Sequence, residues 1–194
     1  MKTVMVWTPK GGSSKSTLVC EIAVCLTMRG HSVAIKDLDP QATTTTWYQR
    51  REQDTPTVVA PSVKMSRIDA DFLIIDTPPG VSSADFIKKE KVDLVLVPVR
   101  PSPHDLTSAL SIVRDLKRYD FVFVLTQTPP RARIVGEATR MLAAQGRVLP
   151  VNLGFRVDFA TAAISGEAAV EYERTKASLE VQEITTSVLS YLDA

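Results

Sequence analysis

Five short runs, TVMVWT (3–8), SVAIKD (32–37), DFLIID (71–76), DLVLVPV (93–99) and FVFVLT (121–126), are rich in Val, Ile, Leu and Phe with little polar alternation. Strands that read this way are buried on both faces, and a sheet buried on both faces is typically parallel and covered by helices. The segments between them have helical length and pattern: 15–29 closed by Gly30, about 41–52, about 83–90, 104–118, 134–145 closed by Gly146, and 176–192. Ser102 and Pro103 suit the cap and first turn of the helix at 104–118. A weaker run at 148–153 completes the strands. This alternation predicts an α/β fold, a doubly wound and mostly parallel sheet flanked by helices. With 194 residues, 44% hydrophobic, and no repeat or long linker, a single domain over 1–194 is expected.

Residues 8–17, TPKGGSSKST, join the first run to the first helix. At such a junction unpaired backbone N–H groups and the positive end of the helix dipole converge, which favours phosphate. A P-loop is usually G-x-x-x-x-G-K-[ST]. Here Pro9 and Ser14 occupy the two glycine positions, and a second lysine, Lys10, precedes the glycines. Gly11 and Gly12 permit close backbone approach, Lys15 can neutralise the outer phosphates, Ser16 offers a hydroxyl to Mg²⁺ and Thr17 another to phosphate. KDLDPQ (36–41) follows the second run, and FLIIDTPPG (72–80) contains the third. Ligands of open parallel sheets bind beyond the carboxyl ends of the strands, so Asp37 and Asp39 are expected to face the loop and Asp76 to serve a magnesium shell.

In this order, KGG-x-x-K-[ST]-[ST], D-x-D-P-Q and a hydrophobic D-T-P-P-G resemble the ParA/MinD superfamily of deviant Walker A P-loop ATPases. The resemblance is strongest to small ParA-like partition ATPases without an N-terminal DNA-binding domain, and VLTQTPPRAR (124–133) and RVDFATAAISG (156–166) extend it. It implies Mg²⁺-dependent hydrolysis of ATP to ADP and phosphate. It further implies that Lys10 is a signature lysine reaching across a nucleotide-sandwich homodimer to the partner's phosphates. Gly11, Gly12, Ser13 and Ser14 would shape the loop, Lys15 would meet the β- and γ-phosphates, Ser16 Mg²⁺, and Thr17 phosphate. Asp39 would orient the attacking water, with Asp37 and Asp76 supporting the metal shell. Gln127 or Thr126, and the segment around Pro150, are expected to hold the adenine. Ser14 departs from the family's glycine; at positive φ its Cβ would cost about 1 kcal/mol, and Ser14→Gly is expected to change affinity by no more than about tenfold.

Charge is unevenly distributed: residues 111–156 carry eight Lys/Arg against three Asp/Glu, net +5, and residues 157–194 two against seven, net −5. The resemblance implies a partition or positioning ATPase whose ATP-bound dimer binds DNA without sequence specificity, with hydrolysis stimulated by a centromere-binding or adaptor protein. Arg131, Arg133, Arg140, Arg147 and Arg156 are the expected phosphate contacts, with Arg114, Lys117 and Arg118 as a second group. A protein cargo such as a microcompartment or chemoreceptor cluster is the alternative to plasmid or chromosome DNA. A MinD-like membrane helix fits poorly because the tail is acidic; Leu179, Ile184, Val188, Leu189 and Leu192 are expected to pack it on the domain. No stretch approaches ~18 apolar residues, so a cytoplasmic protein, nucleoid-associated with ATP, is expected. Cys20 and Cys25 read as unbridged core residues, and His31 and His104 sit in no metal motif.

Overall fold

The computed structural model of the chain describes residues 1–80 and 91–193. The strands are β1 (Lys2–Val6), β2 (Val33–Asp37), β3 (Thr57–Val59), β4 (Phe72–Asp76), β5 (Leu94–Val99), β6 (Phe121–Thr128), β7 (Arg147–Val148) and β8 (Leu153–Gly154). They lie in the order β3-β2-β4-β1-β5-β6-β7, β8 also pairs with β6, and all these pairings are parallel. The helices are α1 (Lys15–Met28), α2 (Thr43–Gln49), α3 (Pro103–Ser111), α4 (Val113–Leu116), α5 (Arg133–Ala143), α6 (Val157–Ile164) and α7 (Lys176–Leu192).

Alternation along the buried strands divides the core in two. Val4, Val6, Ile35, Ile74, Leu94, Leu96, Val122 and Val124 face the layer of α1 and α7. Met5, Trp7, Leu73, Ile75, Val95, Val97 and Phe123 face the layer of α3 and α5. Most of α1 is buried because it lies between the sheet and α7, so Cys20 and Cys25 are both buried free thiols in one core. Ile184, Val188 and Leu192 hold α7 in place, each buried aliphatic side chain contributing about 2 kcal/mol. Leu189 is partly buried against the same core, whereas Leu179, expected to pack, is 50% exposed.

β1 is central, with β4 on one side and β5 on the other. The chain leaves β1 for β2 on one flank and later fills the other, which opens a crevice at the carboxyl edge beside β1. The expected helix at 104–118 is broken at Ile112, and the expected strand at 148–153 is two short strands flanking Leu149–Asn152. β3 and α6 were not expected from the sequence, while the helix expected at 83–90 lies outside the described residues.

Candidate functional site

The loop between β1 and α1 crosses the carboxyl edge of the sheet. Gly12 at φ 68° and Ser14 at φ 67° both adopt the left-handed conformation that curls it. The Lys10 carbonyl anchors the curl, accepting from Ser13 Oγ at 3.2 Å and Lys15 Nζ at 3.0 Å. A cleft of about 380 Å³ opens here, lined by residues 11–17 with Asp39, Gln41, Thr43, Pro79 and Gln127. The N-terminus of α1 has no acidic side chain in its first turn, so its dipole adds to the positive charge of Lys15. Burial lowers the Lys15 pKa, while the Asp76 and Asp39 carboxylates oppose that shift. The arrangement suits a multiply charged phosphate.

Two strand ends deliver carboxylates. Val6 and Asp76 are register partners, as are Asp37 and Asp76, so β2, β4 and β1 finish at one level. Asp76 is fully buried, and burial raises its pKa to about 6 against the Ser16 and Thr44 hydroxyls. Its Oδ2 accepts from Thr44 Oγ1 at 2.7 Å, and its Oδ1 is buried with no hydrogen-bond partner. An orphaned carboxylate oxygen beside a serine hydroxyl fits Mg²⁺, which takes one or two protein oxygens and completes its shell with water and phosphate. Among the described residues there is no group of three or more His, Cys, Asp or Glu that could cage a metal.

Asp37 has a structural task at the end of β2. Its Oδ1 accepts from the Asp39 amide at 3.1 Å, and its Oδ2 from both the amide and hydroxyl of Thr45 at 2.9 Å. It therefore ties the start of α2 to the end of β2 and holds Asp39 at the cleft. The Asp39 carboxylate is itself oriented by the Gln41 amide at 2.9 Å.

Lys10 is exposed and lies outside the lining of the phosphate cleft; it lines an adjoining hollow of about 440 Å³ with Arg100, His104, Gln127 and Phe155. Gln127, expected with Thr126 as a candidate to hold the adenine, places Nε2 at 2.8 Å from the Gly12 carbonyl and 3.0 Å from Ser14 Oγ. Thr126 is buried and donates to the Ser13 carbonyl at 3.1 Å. The segment around Pro150 does border open space: a hollow of about 600 Å³ is lined by Pro129, Arg131, Pro150, Asn152 and Phe155, with Arg156 and Glu180.

The expected basic band is divided by the topology. Arg131 and Arg133 are exposed just beyond the carboxyl end of β6, and Arg140 is exposed on α5. Arg133 pairs with Glu137 at 2.8 Å but remains 92% exposed. Arg147 is paired opposite Val122 near the start of β6, contacts Asp120 at 3.2 Å and stacks on Tyr191. Arg114, Lys117 and Arg118 are exposed in the segment leading to β6. Arg156 is committed to Glu180, to which its Nε donates at 2.9 Å and its Nη2 also donates. That pairing raises the Arg156 pKa.

Sequence reasoning missed Thr44, Thr45 and Arg100. The signal for the first two was the run TTTT directly after D-P-Q, where hydroxyls at the start of a helix can reach strand-end carboxylates. Arg100 is held by Asp105 at 3.0 Å through Nε, and its Nη1 lies 3.9 Å from where a Cβ on Gly12 would stand.

Residues 1–166 match a family described as an AAA domain. The chain is 26% identical over 208 aligned positions to the maintenance of carboxysome distribution protein A of Halothiobacillus neapolitanus, covering 96% of each chain. It is 31% identical over 170 positions to a probable plasmid-partitioning protein ParA of Thermus thermophilus, covering 86% of this chain but only 49% of that one. Thus it spans nearly all of the first relative and about half of the second. Its fold matches the Cyanothece McdA–ATP complex, with TM-score 0.76, 15% identity and coverage of 98% of this chain and 96% of that one. It also matches Pyrococcus horikoshii MinD with Mg-ADP, with TM-score 0.74, 15% identity and coverage of 100% and 98%. The chain belongs to this AAA-domain family, the ParA/MinD type of deviant Walker A P-loop ATPase.

Proposed function

We propose that the chain is a positioning ATPase that hydrolyses ATP to ADP in a nucleotide-sandwich homodimer and, in its ATP state, binds DNA without sequence preference. The observation that carries this reading is the divergence of two lysines from one loop. Lys15 lies in the phosphate cleft, whereas Lys10 is exposed beside it, on a surface a second copy can reach. Each protomer then supplies Lys10 to the other's site.

Within the cleft, Lys15 and the amides of the loop bind and orient the phosphates. Ser16 and Asp76 would hold Mg²⁺, which would supply neutralisation of charge on the phosphate oxygens. Asp39, fixed by Gln41 and by the Asp37 anchor, orients a water oxygen toward the γ-phosphorus. As that bond forms, the bond from phosphorus to the bridging oxygen breaks and its electron pair leaves with ADP. The adenine lies toward the hollow beside Pro150, because the donors of Gln127 are engaged by the loop.

Arg131 and Arg140, together with Arg133, which stays 92% exposed beside Glu137, are the arginines whose exposure best suits DNA phosphates, while Arg147 and Arg156 contribute less because they are both paired with carboxylates and less exposed. An adaptor protein that stimulates hydrolysis would release the dimer. DNA segregation is the leading cargo reading, in the cytoplasm and on the nucleoid. Near-complete coverage of a carboxysome distribution protein supports a protein cargo as the second. Duplex binding measured with ADP, with ATP, and with ATP for Asp39→Ala tests the proposal. Salt-sensitive, sequence-independent binding confined to the ATP states, weakened by Arg131→Glu, is expected. Equal binding with ADP and ATP, or none in any state, would reject the DNA track.

A further inference from the structure

We propose that Ser14 and Gln127 form a latch that shapes the phosphate loop before any nucleotide arrives, which makes Gln127 a positioning residue. Ser14 stands at φ 67° and ψ 29°, a conformation that glycine adopts without penalty and that costs a residue with a Cβ about 1 kcal/mol. The serine brings a hydroxyl in return. Its Oγ lies 3.0 Å from Gln127 Nε2, and the same nitrogen reaches the Gly12 carbonyl at 2.8 Å.

Geometry at the end of β6 explains how the latch reaches the loop. Successive residues of a regular strand point to opposite faces, so Thr126 and Gln127 should not both meet one loop. They do: Thr126 Oγ1 donates to the Ser13 carbonyl at 3.1 Å while Gln127 serves Gly12 and Ser14. Gln127 has φ 50°, and the pairing of β6 with β8 shifts register between Thr126 and Thr128. Such an irregularity re-aims a side chain. Three consecutive loop residues are thereby tied to a strand more than a hundred positions away, with the Gly12 and Ser13 carbonyl oxygens held on β6. A loop fixed in its binding shape loses less conformational freedom when phosphate binds.

The inference rests on the ATPase reading only for the identity of the ligand. Native protein, Ser14→Gly, Gln127→Ala, their double variant and Gln127→Glu provide the test. Amide exchange of residues 11–16 is measured without nucleotide, and ADP affinity by titration, with thermal melts confirming that each variant folds. In Gln127→Ala, loop exchange is expected to accelerate and ADP binding to weaken by about tenfold. Gln127→Glu, equal in size but unable to donate when ionised, is expected to behave as Gln127→Ala does; a side chain that only filled space would tolerate it. Ser14→Gly is expected to weaken ADP binding by about threefold in the native background and to tighten it by about threefold in the Gln127→Ala background. The sign reverses because only the second background lacks the partner that makes the hydroxyl useful. Additive effects of the two substitutions, or native loop exchange in Gln127→Glu, would overturn the latch. Failure of the native protein to bind ADP, with loop exchange still responding to Gln127→Ala, would instead reject the ATPase reading and leave the latch standing.

Discussion

Lys15 combines burial with charge: its side chain lies among the loop, its amine donates to the Lys10 carbonyl, and Asp76 and Asp39 are its nearest electrostatic counterweights. Replacing it by alanine removes the cleft's internal cation while leaving the Asp39 carboxylate on the cleft wall and the Asp76 carboxylate buried behind it. Lys15→Ala is therefore expected to lower ATP affinity at least a hundredfold, a loss of about 3 kcal/mol, as read by nucleotide titration. Retention of native affinity would show that the loop amides alone suffice. At this scale the sequence was legible where chemistry is local. Lys15, Ser16 and the carboxylates of Asp39 and Asp76 lie within short motifs next to strand ends, and the fold brings them to one edge. The hydrogen-bond partners of Asp37 and Gln127, Thr45 and the Gly12–Ser14 turn, were not legible because they cannot be seen from the motif itself.

Between elements, the most telling contacts gather where the segment after α6 meets α1 and α2. The Glu21 carboxylate, buried on α1, accepts from the Ala169 amide at 2.8 Å and the Val170 amide at 3.0 Å. Burial nevertheless raises its pKa from 4.5 to about 7, with Glu171 adding repulsion. Glu171 is itself paired with Arg51 of the turn after α2, and Tyr172 and the buried Cys20 thiol are further titratable neighbours. The folded state thus holds a proton that the unfolded chain releases. This contribution to stability is full below about pH 4.5 and is lost as pH rises through about 7. Native protein is expected to lose on the order of 2 kcal/mol relative to Glu21→Gln between about pH 5 and about pH 7.5, measured by denaturant melts at those two values. Parallel curves would contradict it.

Gly166 meets the same junction from the other side. At φ 75°, it lies so close to the chain that an added Cβ would stand 2.4 Å from the Arg51 amide nitrogen and 2.5 Å from the Arg50 carbonyl carbon. Gly166→Ala is expected to cost about 3 kcal/mol by thermal or denaturant unfolding, the sum of overpacking and a left-handed alanine. A cost under about 1 kcal/mol would show that the junction can relax. None of this was visible in the sequence. The strands and long helices announce themselves by periodicity, but β3, α6 and the junction depend on contacts such as Trp47 Nε1 to the Glu167 carbonyl, between residues far apart in the chain.

Over the whole molecule, the net +5 of residues 111–156 does not become one surface. β6 spans about 25 Å, so Arg131 and Arg133 beyond one end are separated from Arg147 near the other. The carboxyl edge therefore carries the phosphate cleft, Lys10 and the exposed arginines after β6 together. In the proposed function, nucleotide, second copy and DNA would all meet at this edge, so their coupling would need no motion transmitted through the sheet. In the proposed dimer a second copy completes the site, and the mass of the protein in solution reads whether it does. With ATP and Mg²⁺, Asp39→Ala is expected to be a dimer, and Lys10→Ala combined with Asp39→Ala a monomer that still binds ATP. An equal dimer population in both, or a monomer in both at saturating ATP, would contradict the account.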